Sequence, residues 1–126
     1  MYAALERPEG RRRFWAESAD EVERDVIEFR FTGGEIWRSR ILERVPFRRF
    51  TVAYFQGSVA SFELEPDGAG GTEVRLTEEH VPPGAWLDNH AGWVSVLLAL
   101  KAAVDFGVDI RNCDPRRSWA RGYVDV

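Results

Sequence analysis

Hydrophobic and polar positions alternate through the middle of this chain, then switch to a helical rhythm near its end. From Asp25, the residues Ile27, Phe29 and Phe31 alternate with Glu28 and Arg30, the period of a half-buried strand. Thr32-Gly33-Gly34-Glu35 follows as a hairpin turn, because adjacent glycines supply the positive-φ positions such turns need. Ile36 to Val45 reads as the return strand, with Trp37, Ser39 and Ile41 on one face, Arg38 and Arg40 on the other, and Pro46 as its stop. Phe50 to Gln56 is rich in β-formers. Val59 to Glu65 puts Ala60, Phe62 and Leu64 on one face, and Thr72 to Glu79 turns Val74 and Leu76 inward. The loop Pro66 to Gly71 leads from strand into strand, so its glycines mark a hairpin rather than a phosphate cradle. Five consecutive strands with short connections predict an antiparallel meander.

From Trp86 to Val108 the spacing of Trp86, His90, Trp93, Val94, Leu97, Leu100 and Val104 predicts one long helix, entered through Val81-Pro82-Pro83-Gly84 and closed near Gly107. Asp88, Asn89, Ser95, Lys101 and Asp105 break its apolar surface, so most of its sides require cover. Upstream, Met1 to Leu5 and Arg11 to Ala16 predict two short helical segments around the break Pro8-Glu9-Gly10, with Phe14 and Trp15 as buried anchors. Glu17 to Arg24 reads as a polar surface connection. The tail Asp109 to Val126 is polar but carries Trp119 and Tyr123, rings that need covering. The expected fold class is α+β: a curved antiparallel sheet on a long C-terminal helix, one domain over residues 1–126 with 109–126 as an extension.

Composition narrows the function. The 126 residues suffice for one core. Net charge is −4, and Arg11-Arg12-Arg13, Arg48-Arg49 and Arg116-Arg117 lie among acidic neighbours, which argues against a nucleic-acid partner. Cys113 is the single cysteine, so an internal disulfide is excluded and a reducing compartment is the simpler setting. The start lacks a basic region followed by an apolar run, and the most apolar window, Ala91 to Leu100, is too short to span a bilayer. A cytoplasmic protein without membrane insertion is expected.

No catalytic motif stands out: Gly-x-Ser-x-Gly, a phosphate loop and a dinucleotide fingerprint are all missing. His80 and His90, with Glu78, Glu79 and Asp88, flank the entry to the helix without metal-ligand spacing, so neither metal nor cofactor is expected. Cys113 has no histidine near it in sequence and reads as a free thiol. Trp37, Ile41, Tyr54, Phe62, Leu64, Leu76, Trp93 and Leu97 either line a cavity or form an ordinary core worth about 1.5–3 kcal/mol per side chain. Ser39, Tyr54 and His90 are the inward polar groups suited to orienting a ligand.

Phe29-Arg30-Phe31-Thr32-Gly33-Gly34-Glu35, Phe62-Glu63-Leu64-Glu65-Pro66 with Gly70-Gly71-Thr72, and His90-Ala91-Gly92-Trp93 together resemble the SRPBCC or START-like superfamily. The nearest branch is the one named after the activator of heat-shock protein 90 ATPase homologue. The resemblance implies a helix-grip fold with a deep apolar cavity between sheet and helix. It also implies a small hydrophobic ligand, bound here by Trp37, Ser39, Ile41, Tyr54, Phe62, Leu76, His90, Trp93 and Leu97. Two alternatives accompany it: a chaperone-cofactor or protein-interaction module acting through the Arg38 and Arg40 face, and a cyclase-type enzyme using Tyr54 or His90 as acid or base. Gly92 is expected to let the sheet or the first helices approach the long helix closely. Family members begin with a strand before the first short helix, whereas Met1 already stands in the segment resembling that helix. The family's first strand therefore looks missing: either the true start lies upstream of Met1, or the tail Gly122 to Val126 or a partner's strand in a homodimer fills its place.

Overall fold

The computed structural model describes all of residues 1–126. Two short helices, α1 (Tyr2–Glu6) and α2 (Pro8–Arg12), precede the sheet. Its strands are β1 (Ser18–Glu23), β2 (Val26–Arg30), β3 (Ile36–Val45), β4 (Arg49–Ala53), β5 (Val59–Pro66) and β6 (Thr72–Glu79). They form one six-stranded antiparallel meander in sequence order, followed by the long helix α3 (Trp86–Lys101). The five strands expected from the alternation are β2 to β6. Their inward residues, among them Ile27, Phe29, Ile41, Phe50, Val52, Ala60, Phe62 and Leu64, join α1, α2 and α3 in one core. The outward face carries cross-strand ion pairs, such as Glu28 with Arg38 at 3.3 Å and Glu63 with Arg49 at 2.5 Å.

Strand β1 corrects the reading of Glu17 to Arg24 as a surface connection. Ser18 stands opposite Arg30 and Ala19 opposite Phe29, with a register shift between Glu21 and Glu23. Only Ala19 of this strand is buried, so no hydrophobic alternation betrays it. β2 imposes the pairing. The acidic residues and the bulge also blunt this edge against further strands.

The tail does not take a strand's place, because Gly122–Val126 contains no strand. The tail docks through Arg111 instead. That guanidinium donates to Ala16 O at 3.1 Å and Arg12 O at 2.6 Å, and Asp109 holds it at 2.9 Å. The hydrogen bond from Arg111 in turn keeps the Asp109 carboxyl below its ordinary pKa. Trp119 is half-buried, and the Arg117 guanidinium covers Tyr123 at 4.9 Å from the ring centre.

The start of the chain is pinned by a buried arginine. Arg11 is completely inaccessible and donates to Ala19 O at 3.0 and 2.8 Å, to Leu5 O at 2.9 Å and to Glu6 O at 2.5 Å. One side chain thereby ties α1, α2 and β1 together. Close packing of α1 on α2 depends on Gly10, where an added Cβ would stand 2.5 Å from Ala4 Cα and 2.6 Å from Ala4 O. Gly10→Ala is expected to destabilise the fold by about 1–3 kcal/mol, read as a lowered urea midpoint at unchanged slope. An unchanged midpoint would mean that the two helices part at no cost. The close approach expected at Gly92 is absent, since a Cβ there meets nothing within 4 Å.

Helix α3 buries Trp93, Ala99 and Leu100 against the core, with Val96 and Leu97 half-buried beside them. A π-helical turn, Ala102–Phe106, extends it, and Gly107 at φ 67 closes it by donating to Ala103 O at 3.2 Å. The helix thus ends just short of the predicted Val108. One flank of it, beside the Trp93 and Leu97 stripe, is uncovered, contrary to expectation: Leu87 is 81% exposed, Leu98 56% and Val94 47%. The core covers only the stripe of the helix that carries Trp93, Ala99 and Leu100. No helix of the chain is long and apolar enough to cross a membrane.

Candidate functional site: a cleft between the last strand and the long helix

Alternation along β6 turns Val74, Leu76 and Glu78 toward the helix. On α3, the steps from Trp86 to His90, Trp93 and Leu97 follow the helical repeat and put these side chains on one stripe. Between strand and helix lies an open cleft of about 790 Å³, lined by Leu76, Glu78, His80, Val81, Trp86, Leu87, Asn89, His90, Trp93, Val94 and Leu97. His80 reverses the chain at the end of β6 in the left-handed region, at φ 60. The Trp86 indole N–H donates to Val81 O at 3.2 Å, which tethers this ring to the loop.

Glu78 joins the two walls. Ser58 Oγ donates to its Oε1 at 2.6 Å, and Trp93 Nε1 donates to its Oε2 at 2.6 Å. Asn89 Nδ2 reaches both oxygens, at 3.1 and 3.3 Å. The carboxylate thus orients the Trp93 ring from the strand side.

Aromatic rings close the inner end of the cleft. Trp93 lies 5.0 Å from Tyr54 and 5.8 Å from both Phe62 and Trp15 between ring centres. Trp15 Nε1 donates to the Tyr54 hydroxyl at 3.1 Å. Burial, chiefly, pushes the Tyr54 phenol above its ordinary pKa. The charges of Glu78 and Glu35 add to that effect, while the Trp15 hydrogen bond works against it.

Of the residues nominated from the sequence, Leu76, His90, Trp93 and Leu97 come together in the cleft. Tyr54 stands behind Trp93, and Trp37 lies 5.1 Å beyond Tyr54. Phe62, Ile41 and Ser39 are buried in the sheet's inner face, and the Ser39 hydroxyl has no hydrogen-bond partner. His80 and His90 are exposed, and no three His, Cys, Asp or Glu side chains gather in metal-holding geometry. Glu78, Asn89, Trp86 and Leu87 were not nominated as ligand contacts. Glu78 carried a usable signal, because it continues the inward period of Val74 and Leu76. Asn89 carried none.

An antiparallel sheet that grips one long C-terminal helix, with a cleft at their junction, is the architecture of the SRPBCC or START-like class. Within it the chain belongs to the family described as Activator of Hsp90 ATPase homolog 1-like protein, whose model matches residues 1–105. The crystal structure of the protein SSP2350 from Staphylococcus saprophyticus is similar, with a TM-score of 0.72 and 26% identity, covering 87% of this chain and 84% of that one. The crystal structure of protein NE0264 from Nitrosomonas europaea shares the fold at a TM-score of 0.62 and 15% identity, covering 82% and 84% of the two chains. No curated protein matches the chain in sequence.

Proposed function

We propose that this protein binds a small apolar molecule in the cleft between β6 and α3. The observation that carries the reading is the cleft itself, about 790 Å³ and walled by Leu76, Trp86, Leu87, Trp93, Val94 and Leu97. Ligand sites of about 300–1,000 Å³ have this make-up, apolar walls with a few polar groups. The observations favour binding over turnover. Tyr54 lies behind Trp93, accepts the Trp15 N–H, and is held above its ordinary pKa, so it stays protonated near neutrality and is a weak proton donor. Val94 is 47% exposed on the cleft wall, so Val94→Trp fills the space without crowding the core. The neutral dye Nile red is expected to brighten on the native protein, and Val94→Trp to weaken its binding about tenfold or more. No brightening, or equal binding by the variant, defeats the reading.

The family description names activation of the Hsp90 ATPase. A chaperone-interaction role here would need a free cationic face; of Arg38 and Arg40, Arg38 is already engaged with Glu28 at 3.3 Å and Glu23 at 3.5 Å, which leaves only Arg40 without an ion pair. A different observation favours self-association. Outside the cleft, Leu98 and Phe106 leave large apolar side chains exposed along the C-terminal helix and its end. In a homodimer through this face, light scattering is expected to give twice the chain mass at micromolar concentration, and Leu98→Glu to return it to the monomer. A monomeric native protein sinks the idea.

A further inference from the structure

The cleft contains a charge without a counter-ion. Glu28, Glu43 and Glu63 each pair with an arginine on the outer face of the sheet, whereas Glu65, Glu73, Glu78 and Glu79 are in no ion pair, and of these four only Glu78 is half-buried and faces the cleft. Everything that holds it is neutral: the hydroxyl of Ser58, the amide of Asn89 and the indole N–H of Trp93. These donors occupy both oxygens and prevent the carboxylate from swinging out to bulk water. A carboxylate offers about four acceptor positions, so its hydrogen-bonding capacity is largely used. Its negative charge is not.

That charge sits where it acts strongly. The surrounding wall is apolar, contributed by Leu76, Trp86, Trp93 and Leu97, and a charge beside low-dielectric walls is less screened than one on an open surface. Trp86 and Trp93 also supply indole rings, which attract cations. The rim groups His80 and His90 are exposed, and neither bonds to Glu78.

We infer that the ligand class of this cleft is an apolar organic cation, with its positive centre opposite Glu78 and its apolar body along Leu76, Trp93 and Leu97. Because the Glu78 oxygens are already engaged, the geometry suits a charge on an alkylated nitrogen or spread over an aromatic ring better than an ammonium needing acceptors for its N–H groups. The inference rests on the reading of the cleft as a ligand site and adds the sign of the ligand's charge.

The test uses the whole chain at pH 8 and three probes with one aromatic body: (2-naphthylmethyl)trimethylammonium, 2-naphthylmethanol and 2-naphthylacetate. Binding is followed by the indole N–H resonances of Trp86 and Trp93 and by calorimetry. The cation is expected to bind about tenfold or more tighter than the alcohol, with the carboxylate weakest. In Glu78→Gln the cation is expected to fall to within about twofold of the alcohol. Binding of the alcohol reports that the cleft in this variant is still formed. If that variant fails to fold, the ranking of the three probes on the native protein decides alone. Equal binding of cation and alcohol by the native protein overturns the inference and leaves the ligand reading standing. So does a folded Glu78→Gln variant that keeps the preference for the cation. Silence of both indole resonances toward all three probes overturns the ligand reading, and the inference falls with it.

Discussion

Exchanging Arg11 for methionine is expected to lower the unfolding free energy by about 3 kcal/mol, measured by urea denaturation at neutral pH. Methionine fills much of the volume but cannot donate, so the carbonyls of Leu5, Glu6 and Ala19 lose the donors that now satisfy them. Arg11→Lys keeps the charge and is expected to recover only part of the loss, because an ammonium cannot span carbonyls on α1 and β1 as the planar fork does. A methionine variant within about 1 kcal/mol of the native protein would mean that burying this charge costs as much as its hydrogen bonds return. That cost is real. Burial pushes the Arg11 pKa down to about 10. A basic group whose folded value lies below its unfolded value costs stability while charged, and the cost fades only as pH rises through about 10. At neutral pH the residue is therefore held by its carbonyl contacts against an electrostatic penalty.

Trp15→Ala is expected to cost about 3–5 kcal/mol, the range for removing a large buried ring. Trp15 is 4% exposed, and its ring centre lies within 6 Å of five others: Phe29 at 4.8 Å, Phe62 at 5.2 Å, Tyr54 at 5.7 Å, and Phe14 and Trp93 at 5.8 Å. Trp15→Phe separates packing from hydrogen bonding. It retains most of the ring contacts, loses the donor to Tyr54, and is expected to cost nearer 1 kcal/mol beyond the lost volume. The alanine variant should also weaken Nile red binding, because Trp93 loses a ring that backs it at the floor of the cleft. Full stability after Trp15→Ala would place the core elsewhere. Full stability with lost dye binding would make Trp15 a part of the site alone.

Much of this architecture was legible in the chain. β2 to β6 announce themselves because each has one buried face, and α3 does so through its apolar repeat. β1 was illegible for the same reason inverted: one buried alanine is no pattern, and its pairing comes from β2 rather than from its own residues. The open flank of α3 misled. Leu87, Val94 and Leu98 raise apolarity all round the helix, and periodicity records which residues are apolar without recording whether anything covers them. Glycine misled likewise. Gly92 and Gly10 look alike in sequence, yet only Gly10 has another backbone against it.

The cleft shows where the line falls. Alternation along β6 puts Leu76 and Glu78 on the inner side, and the helical repeat puts His90, Trp93 and Leu97 on one stripe. Both follow from local geometry, and local geometry is written in the order of the residues. Depth is not. Phe62 and Leu76 are opposite one another across β5 and β6, yet Phe62 is buried in the core and Leu76 lines the cleft. What separates them is Trp15, which comes from far up the chain and packs over Phe62 at 5.2 Å. Glu78 acquired its meaning in the same way, from Ser58 on one side and Trp93 on the other. The spacing of residues settles strands, helix and inward faces, because these depend on neighbours within a few positions. Filled core and open cleft are told apart only in three dimensions, because that distinction depends on side chains brought together from distant parts of the chain.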